Sequence, residues 1–197
     1  DFFVLFGPEE SGKSELLHTI MGVFLPDSGD IEYKGEPISK ISSNLRKTIR
    51  YVPEGVLLLK HITGKFYINN MIHTYKIGTQ EQVEELEQYF EVDTNQFLMD
   101  MTYRENKLTA LIAAIVIKPE LLILDEPFVY FSEELKEKVL EKLKLLNEEG
   151  VTILIAIRNY EEVLDYGKRF LYLKEGSIIA CEKEDTNVNL IKKIMIK

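Results

Sequence analysis

The chain has 197 residues, 45% of them hydrophobic, enough to bury one real core, so a single domain with at most an inserted lobe is expected. Its 24 Lys and Arg against 33 Asp and Glu give a net charge of −9 with the basic residues scattered, which argues against nucleic acid as a partner. The one cysteine, Cys181, cannot close an internal disulfide and has no His/Cys cluster beside it, so neither a zinc site nor an oxidising compartment is expected, and a cytosolic location is the default.

Residues 1–6 (DFFVLF) are short, apolar and aromatic-rich and read as a buried strand. No basic leader or cleavage site precedes them, and because the first residue already lies in a strand, upstream strands are expected to be missing from this sequence. GPEESGKS follows at residues 7–14, and residues 13–24 carry Leu16, Leu17, Ile20 and Val23 at helical spacing. Strand, glycine loop and helix in that order aim backbone N–H groups and the positive end of the helix at one spot, which suits phosphate. Gly7, Pro8, Glu9, Glu10, Ser11, Gly12, Lys13, Ser14 and Glu15 are the expected lining. Lys13 would reach the β- and γ-phosphates and the Ser14 hydroxyl would ligate Mg²⁺. Glu9 and Glu10 must turn their carboxylates outward, away from an arriving phosphate.

Next come a turn at PDSG (26–29), a short strand at 31–33, a second turn at KGEP and a strand over 47–54 that ends at Pro53. From 64 to about 117 only helical periodicity remains, in FYINNMIHTYKI, in TQEQVEELEQYF and in the run from Thr102, which predicts a helical lobe inserted into an α/β core. The longest apolar stretch, residues 108–117, is too short to span a bilayer. Strands then resume at LLILDE (121–126) and VTILIAI (151–157), separated by a helix over 132–147. Ser132 caps that helix, Glu133 and Glu134 fill its first turn, and Leu135, Val139, Leu143 and Leu146 face the sheet. A short helix at 160–165, two strands about Glu175-Gly176 and a helical tail from Asn187 complete the chain. Strands alternating with helices predict a mainly parallel sheet.

LLILDE supplies what a phosphate loop lacks. Asp125 and Glu126 emerge at the carboxyl end of a buried strand, where open α/β sheets place their ligands. Asp125 would complete the Mg²⁺ clamp begun by Ser14, and Glu126 would polarise an attacking water as the base. A strand ending in a polar turn is the bland alternative for Asp-Glu-Pro.

On these residues the whole chain resembles the ATP-binding cassette (ABC) ATPases. GPEESGKS is similar to the Walker A loop of that family, LLILDEPF to its Walker B strand, and KEGSIIA to its closing hairpin; the helical lobe sits where the family has one. The resemblance implies a P-loop NTPase of class α/β with a mainly parallel sheet and an inserted α-helical lobe, the core at about 1–60 and 118–197 and the lobe at about 61–117. It also implies ATP and Mg²⁺ as cofactors, a transmembrane permease subunit and a second ATP-binding domain as partners, and a cytoplasmic place on the inner face of the membrane.

The departures from the family pattern are specific. Where its signature has Leu-Ser-Gly-Gly-Gln this chain has MTYRE (101–105), with Tyr103 and Arg104 in place of glycines that let a helix end approach the partner's γ-phosphate. Either Arg104 itself reaches that phosphate, or Thr102 to Glu105 is simply a capping box opening the next helix. Glu54 stands for the metal-binding glutamine, a carboxylate that still suits Mg²⁺ but adds repulsion against phosphate. Arg158 stands for the switch histidine; it cannot shuttle a proton, and is either a fixed charge stabilising the transition state or a surface arginine pairing with Glu161 or Glu162. Ser132 replaces the usual aspartate, and none of His18, His61 and His73 sits where it would replace the switch. Because MTYRE and Ser132 act on a partner's nucleotide, a heterodimer preserves more catalysis than a homodimer.

The leading expectation is therefore an ATP-hydrolysing transporter subunit. Export is favoured by the short stretch between Glu54 and the lobe, and VLLLKHITGKFYI (56–68) is expected to be part core, part docking surface for the membrane partner. The alternatives are a regulatory subunit of weak turnover and a soluble ABC ATPase outside transport.

Overall fold

The computed structural model describes residues 1–55, 59 and 61–182; the tail expected from Asn187 lies outside them. Strand β1 (Phe2–Phe6) runs into the glycine loop and helix α1 (Lys13–Ile20). A small antiparallel ribbon of β2 (Glu32–Tyr33) and β3 (Glu36–Pro37) follows, then one 3₁₀ turn at Ile38–Lys40 and the four-residue α2 (Ser43–Arg46) before β4 (Ile49–Val52). KGEP is thus a turn plus the returning strand. Helix α1 stops earlier than its apolar spacing suggests: Gly22 adopts φ 71°, which ends the helix and leaves Val23 exposed, not on the helix face.

Three helices come next: α3 (Gly64–Tyr75), α4 (Gln80–Phe90) and α5 (Tyr103–Val116). No named strand lies among the described residues of this region, only an isolated bridge between Thr63 and Phe97. Each helix opens on a threonine whose hydroxyl accepts a backbone N–H, and Thr79 and Thr102 form full capping boxes with Gln82 and Glu105. The chain then gives β5 (Leu121–Asp125), α6 (Glu133–Glu148), β6 (Thr152–Ile157), a 3₁₀ turn at Tyr160–Val163, and the hairpin β7 (Arg169–Lys174) to β8 (Ser177–Glu182). Glu175 and Gly176 turn that hairpin with φ 50° and 74°, the left-handed pair a two-residue loop requires.

The main sheet has the order β4-β5-β6-β1-β7-β8 and is parallel except for the β7–β8 pair. Alternation along its strands divides the core in two. Phe2, Val4 and Phe6 of β1, Leu122 and Leu124 of β5 and Ile153, Ile155 and Ile157 of β6 face α5 and α6. Leu5, Ile123 and Ala156 face α1 through Leu17, with Ile38 and Ile41. The first face is one continuous cluster that also takes in Ile68 of α3 and Val83, Leu86 and Phe90 of α4. Helix α6 buries Leu135, Val139, Leu143 and Leu146 as its spacing predicts, and the Ser132 hydroxyl accepts the Leu135 N–H at 3.3 Å.

Leu143 is fully buried on that face. Leu143→Ala is expected to destabilise the protein by about 2–5 kcal/mol through lost transfer energy and a residual cavity. Thermal unfolding followed by circular dichroism should show the midpoint falling on the order of 10 °C; an unchanged midpoint would mean α6 does not seal the sheet.

Candidate functional site

The parallel register carries the carboxyl ends of three strands to one edge: Asp125 lies beside Ala156, and Phe6 beside Ile157. The glycine loop leaves β1, Asp125 and Glu126 stand at the end of β5 and Arg158 after β6, while Glu54 follows a fourth strand, β4, whose Val52 lies beside Leu124. After Phe6 the chain enters the loop through Gly7, where any Cβ would collide with the Leu173 carbonyl of β7 and crowd the Ser11 hydroxyl, so only glycine passes. Gly12 closes the loop at φ 92° and stands at the N-cap of α1 without a side-chain cap, leaving the helix's first N–H groups open toward the cleft.

Lys13 is buried at the first position of α1. Its ammonium donates to the Gly7 carbonyl at 3.1 Å and the Pro8 carbonyl at 3.0 Å, and Glu126 lies 3.9 Å away. The cleft, about 180 Å³, is lined by Glu9 to Glu15 of the loop and by Glu54, Glu126 and Arg158. Gly7 and Pro8 shape it from behind through their carbonyls. Glu9 and Glu10 are exposed, as phosphate entry requires. A larger groove of about 360 Å³ lies between α4, the end of α5 and α6, but it has no phosphate loop and none of the predicted residues.

Arg158 follows the last residue of β6 and is half exposed. Its guanidinium reaches three carboxylates at once: Glu9 at 3.4 Å, Glu54 at 3.3 Å and Glu126 at 3.4 Å. The alternative partner Glu162 pairs with Lys136 at 3.5 Å. Glu126 follows β5 in a left-handed conformation, φ 41°, that a β-carbon disfavours, held by its N–H to the Ala156 carbonyl at 2.9 Å. Burial pushes its carboxyl above the ordinary value of 4.5; Lys13 and Arg158 pull it down, and Glu54 and Asp125 push it up again.

Asp125 is buried at the end of β5. One carboxylate oxygen accepts the Tyr51 hydroxyl at 3.0 Å, while the other, Oδ1, has no hydrogen-bond partner. A buried carboxylate oxygen left unpaired is costly unless a cation or its water shell completes it. That oxygen and the Ser14 hydroxyl are the groups of this region that could hold a divalent cation, and Glu54, 45% exposed in its side chain, stands within Arg158's reach on the cleft. The Ser11 hydroxyl inside the loop is likewise buried and unpartnered, as a donor awaiting phosphate oxygen would be.

Two contributors, Tyr51 and Lys107, escaped the sequence reading, and Tyr103 makes a contact that it did not foresee. Tyr51 binds Asp125 and meets the ring nitrogen of His18 at 3.2 Å; burial and Asp125 raise its pKa well above the usual range. Lys107, 2% exposed, donates to the Pro53 carbonyl and, at 3.1 Å each, to the carbonyls of Glu54 and Asp125; burial brings its pKa down to about 8. Tyr103 donates its hydroxyl to the Glu54 carbonyl and packs edge-on against Tyr130 at 5.1 Å between centroids. The one available signal was a lysine at the head of an otherwise apolar helix. Arg104 is exposed, and Thr102 to Glu105 is the capping box of α5. Of the expected docking stretch, residues 56–58 and 60 lie outside the described ones; Ile68 is core and Phe66 is exposed.

The family model described as ABC transporter matches residues 1–129. The molybdate/tungstate import ATP-binding protein of Pyrococcus horikoshii is 29% identical over 185 residues, covering 91% of this chain and 53% of that protein. The spermidine/putrescine import ATP-binding protein of Mesoplasma florum is 30% identical over 184 residues, covering 90% and 52%. The chain thus spans about half the length of these two curated relatives. In fold it is similar to the solved ATP-binding subunit of an ABC transporter, with TM-score 0.87 at 19% identity over 100% of this chain and 87% of the other. A dimeric ATP-binding cassette in a post-hydrolysis state with ADP and phosphate gives 0.81 at 20% identity over 93% and 85%.

Proposed function

The chain belongs to the ABC transporter family, and from that premise we propose that it is the ATP-binding and ATP-hydrolysing subunit that powers a transmembrane permease. The observation that carries this reading is the unpaired, buried Oδ1 of Asp125 at the strand end beside a phosphate loop whose lysine reaches Glu126. Lys13 binds the β- and γ-phosphates, the open N–H groups of α1 take up phosphate oxygens, and Ser14, Asp125 and Glu54 are the ligands offered to Mg²⁺. Bound Mg²⁺ supplies charge neutralisation of the phosphates. Glu126 orients and deprotonates the attacking water, and Arg158, released from its carboxylates, meets the charge that develops on the γ-phosphate.

The two curated relatives named above are import proteins, so the expectation of export has no support and import is the direction we propose. No helix among the described residues is long and apolar enough to cross a membrane. The subunit is proposed to sit peripherally on the inner face, its core at about 1–60 and 118–197 carrying the nucleotide and its lobe at about 61–117 carrying the signature segment. A second ATP-binding domain closes over the nucleotide, and a heterodimer is favoured because the Walker residues are intact here while Tyr103 fills a position that approach to a partner's phosphate needs open. That same side chain favours the second reading, a regulatory subunit that binds nucleotide with scant turnover.

Equilibrium binding of a fluorescent ATP analogue to the full chain tests the site. Wild-type protein should bind in the micromolar range or better, and Lys13→Met should weaken binding by about 10- to 100-fold, the worth of one hydrogen-bonded charge on phosphate. Equal binding by both proteins would remove Lys13 from the site, and no binding by either would sink the reading.

A further inference from the structure

We propose that Lys107 and Tyr103, one turn apart on α5, are positioning residues that fix the cation-binding side of the cleft from the helical lobe. The proposal rests on the reading of the cleft as a Mg-nucleotide site. Its observation is a buried lysine with no role in that reading. Lys107 holds the backbone carbonyls of Pro53, Glu54 and Asp125, so one ammonium ties the end of β4 to the end of β5. The Glu54 carbonyl takes a second donor, the Tyr103 hydroxyl, whose ring also packs on Tyr130 of the loop after β5.

A cation is a costly way to fill that position. Burying an ion is unfavourable until its charge is compensated, and the place lies near the positive end of α5. A methionine would fill the same space without that cost. What methionine would not do is hold three carbonyls. Those carbonyls belong to, or adjoin, two of the residues offered to the divalent cation, and their backbones decide where the Glu54 and Asp125 carboxylates point. Groups that orient metal ligands typically influence metal affinity by about 10- to 100-fold without touching the metal. Through this clamp the lobe grips the ligands' main chain, while Arg158 holds the Glu54 side chain at 3.3 Å.

The test uses the full chain with a saturating non-hydrolysable ATP analogue and Mn²⁺ in place of Mg²⁺, free Mn²⁺ being read by electron paramagnetic resonance. Lys107→Met should raise the Mn²⁺ dissociation constant about tenfold and Tyr103→Phe several-fold. Affinity for the analogue in EDTA should stay within about twofold of wild type for both, since the phosphate loop is untouched. If Lys107→Met does not fold, Tyr103→Phe decides alone, since it removes a single oxygen from a partly buried ring and leaves the ring itself in place. Wild-type Mn²⁺ affinity in the folded variants would overturn the proposal, as would an equal loss of analogue binding in EDTA, which marks general damage. Wild-type protein that binds no analogue would instead overturn the nucleotide reading itself, a result no variant can imitate.

Discussion

Glu126→Gln is expected to lower Mg-ATP turnover by about a hundredfold or more, in the range that general-base catalysis contributes, while nucleotide binding stays intact or tightens. The carboxylate stands at the end of β5, 3.9 Å from Lys13 and 3.4 Å from Arg158, on the lining of the cleft. Glutamine keeps the shape and the hydrogen-bonding reach but cannot accept a proton. It also removes one negative charge from a cleft that must receive a polyanion, so the ground state gains while the chemical step loses. Phosphate release by the full-length protein with its membrane partners is the measurement, beside binding of the same nucleotide. Turnover within about threefold of wild type would take the base role from Glu126. Wild type and variant equally inert with nucleotide tightly bound would turn the chain into the regulatory subunit of the second reading.

Arg158→Met should have the next largest effect: kcat down about a hundredfold, as for loss of one preorganised donor at a developing charge, with KM for Mg-ATP raised about tenfold. One guanidinium offsets Glu9, Glu54 and Glu126, and without it the arriving phosphates face those carboxylates unscreened. The pH profile carries an independent signature. Arg158 is one of the two groups that pull the Glu126 pKa down against burial. Removing it lets that pKa rise, so the ionised base is lost at a higher pH and the acid limb of kcat moves upward. Arg158→Lys keeps the charge but not the fork, and should restore the acid limb more fully than kcat. A bystander surface arginine would move neither limb nor rate.

Most of the scaffold was legible because it is local. LLILDE and VTILIAI are apolar runs of strand length, Ser132 and Thr102 announce helix starts, and Gly7 to Ser14 has a shape few other functions need. The misreadings are local too: Val23 continues the apolar spacing of α1, but Gly22 takes the left-handed turn that ends it, and α2 is too short and polar to show a period. The electrostatics were hidden for a different reason. Arg158 and Glu9 are far apart in sequence, as are Lys107 and Pro53, and no window along the chain joins them. A lysine heading a helix reads as solvated, and only the assembled sheet puts carbonyl ends within its reach.

The continuous cluster that runs from Phe90 of α4 and Ile68 of α3 through α5 to Phe2 and Val4 of β1 governs how the lobe can move. Among the described residues, α5 packs on both sides, against α3 and α4 and against the sheet. A helix packed on both sides in this way suits shear, in which interdigitated side chains slide by small steps and keep their neighbours. Such travel is short in distance and stiff in response, so a push on α3 or α4 is passed on through close-packed side chains instead of being lost in a loose joint.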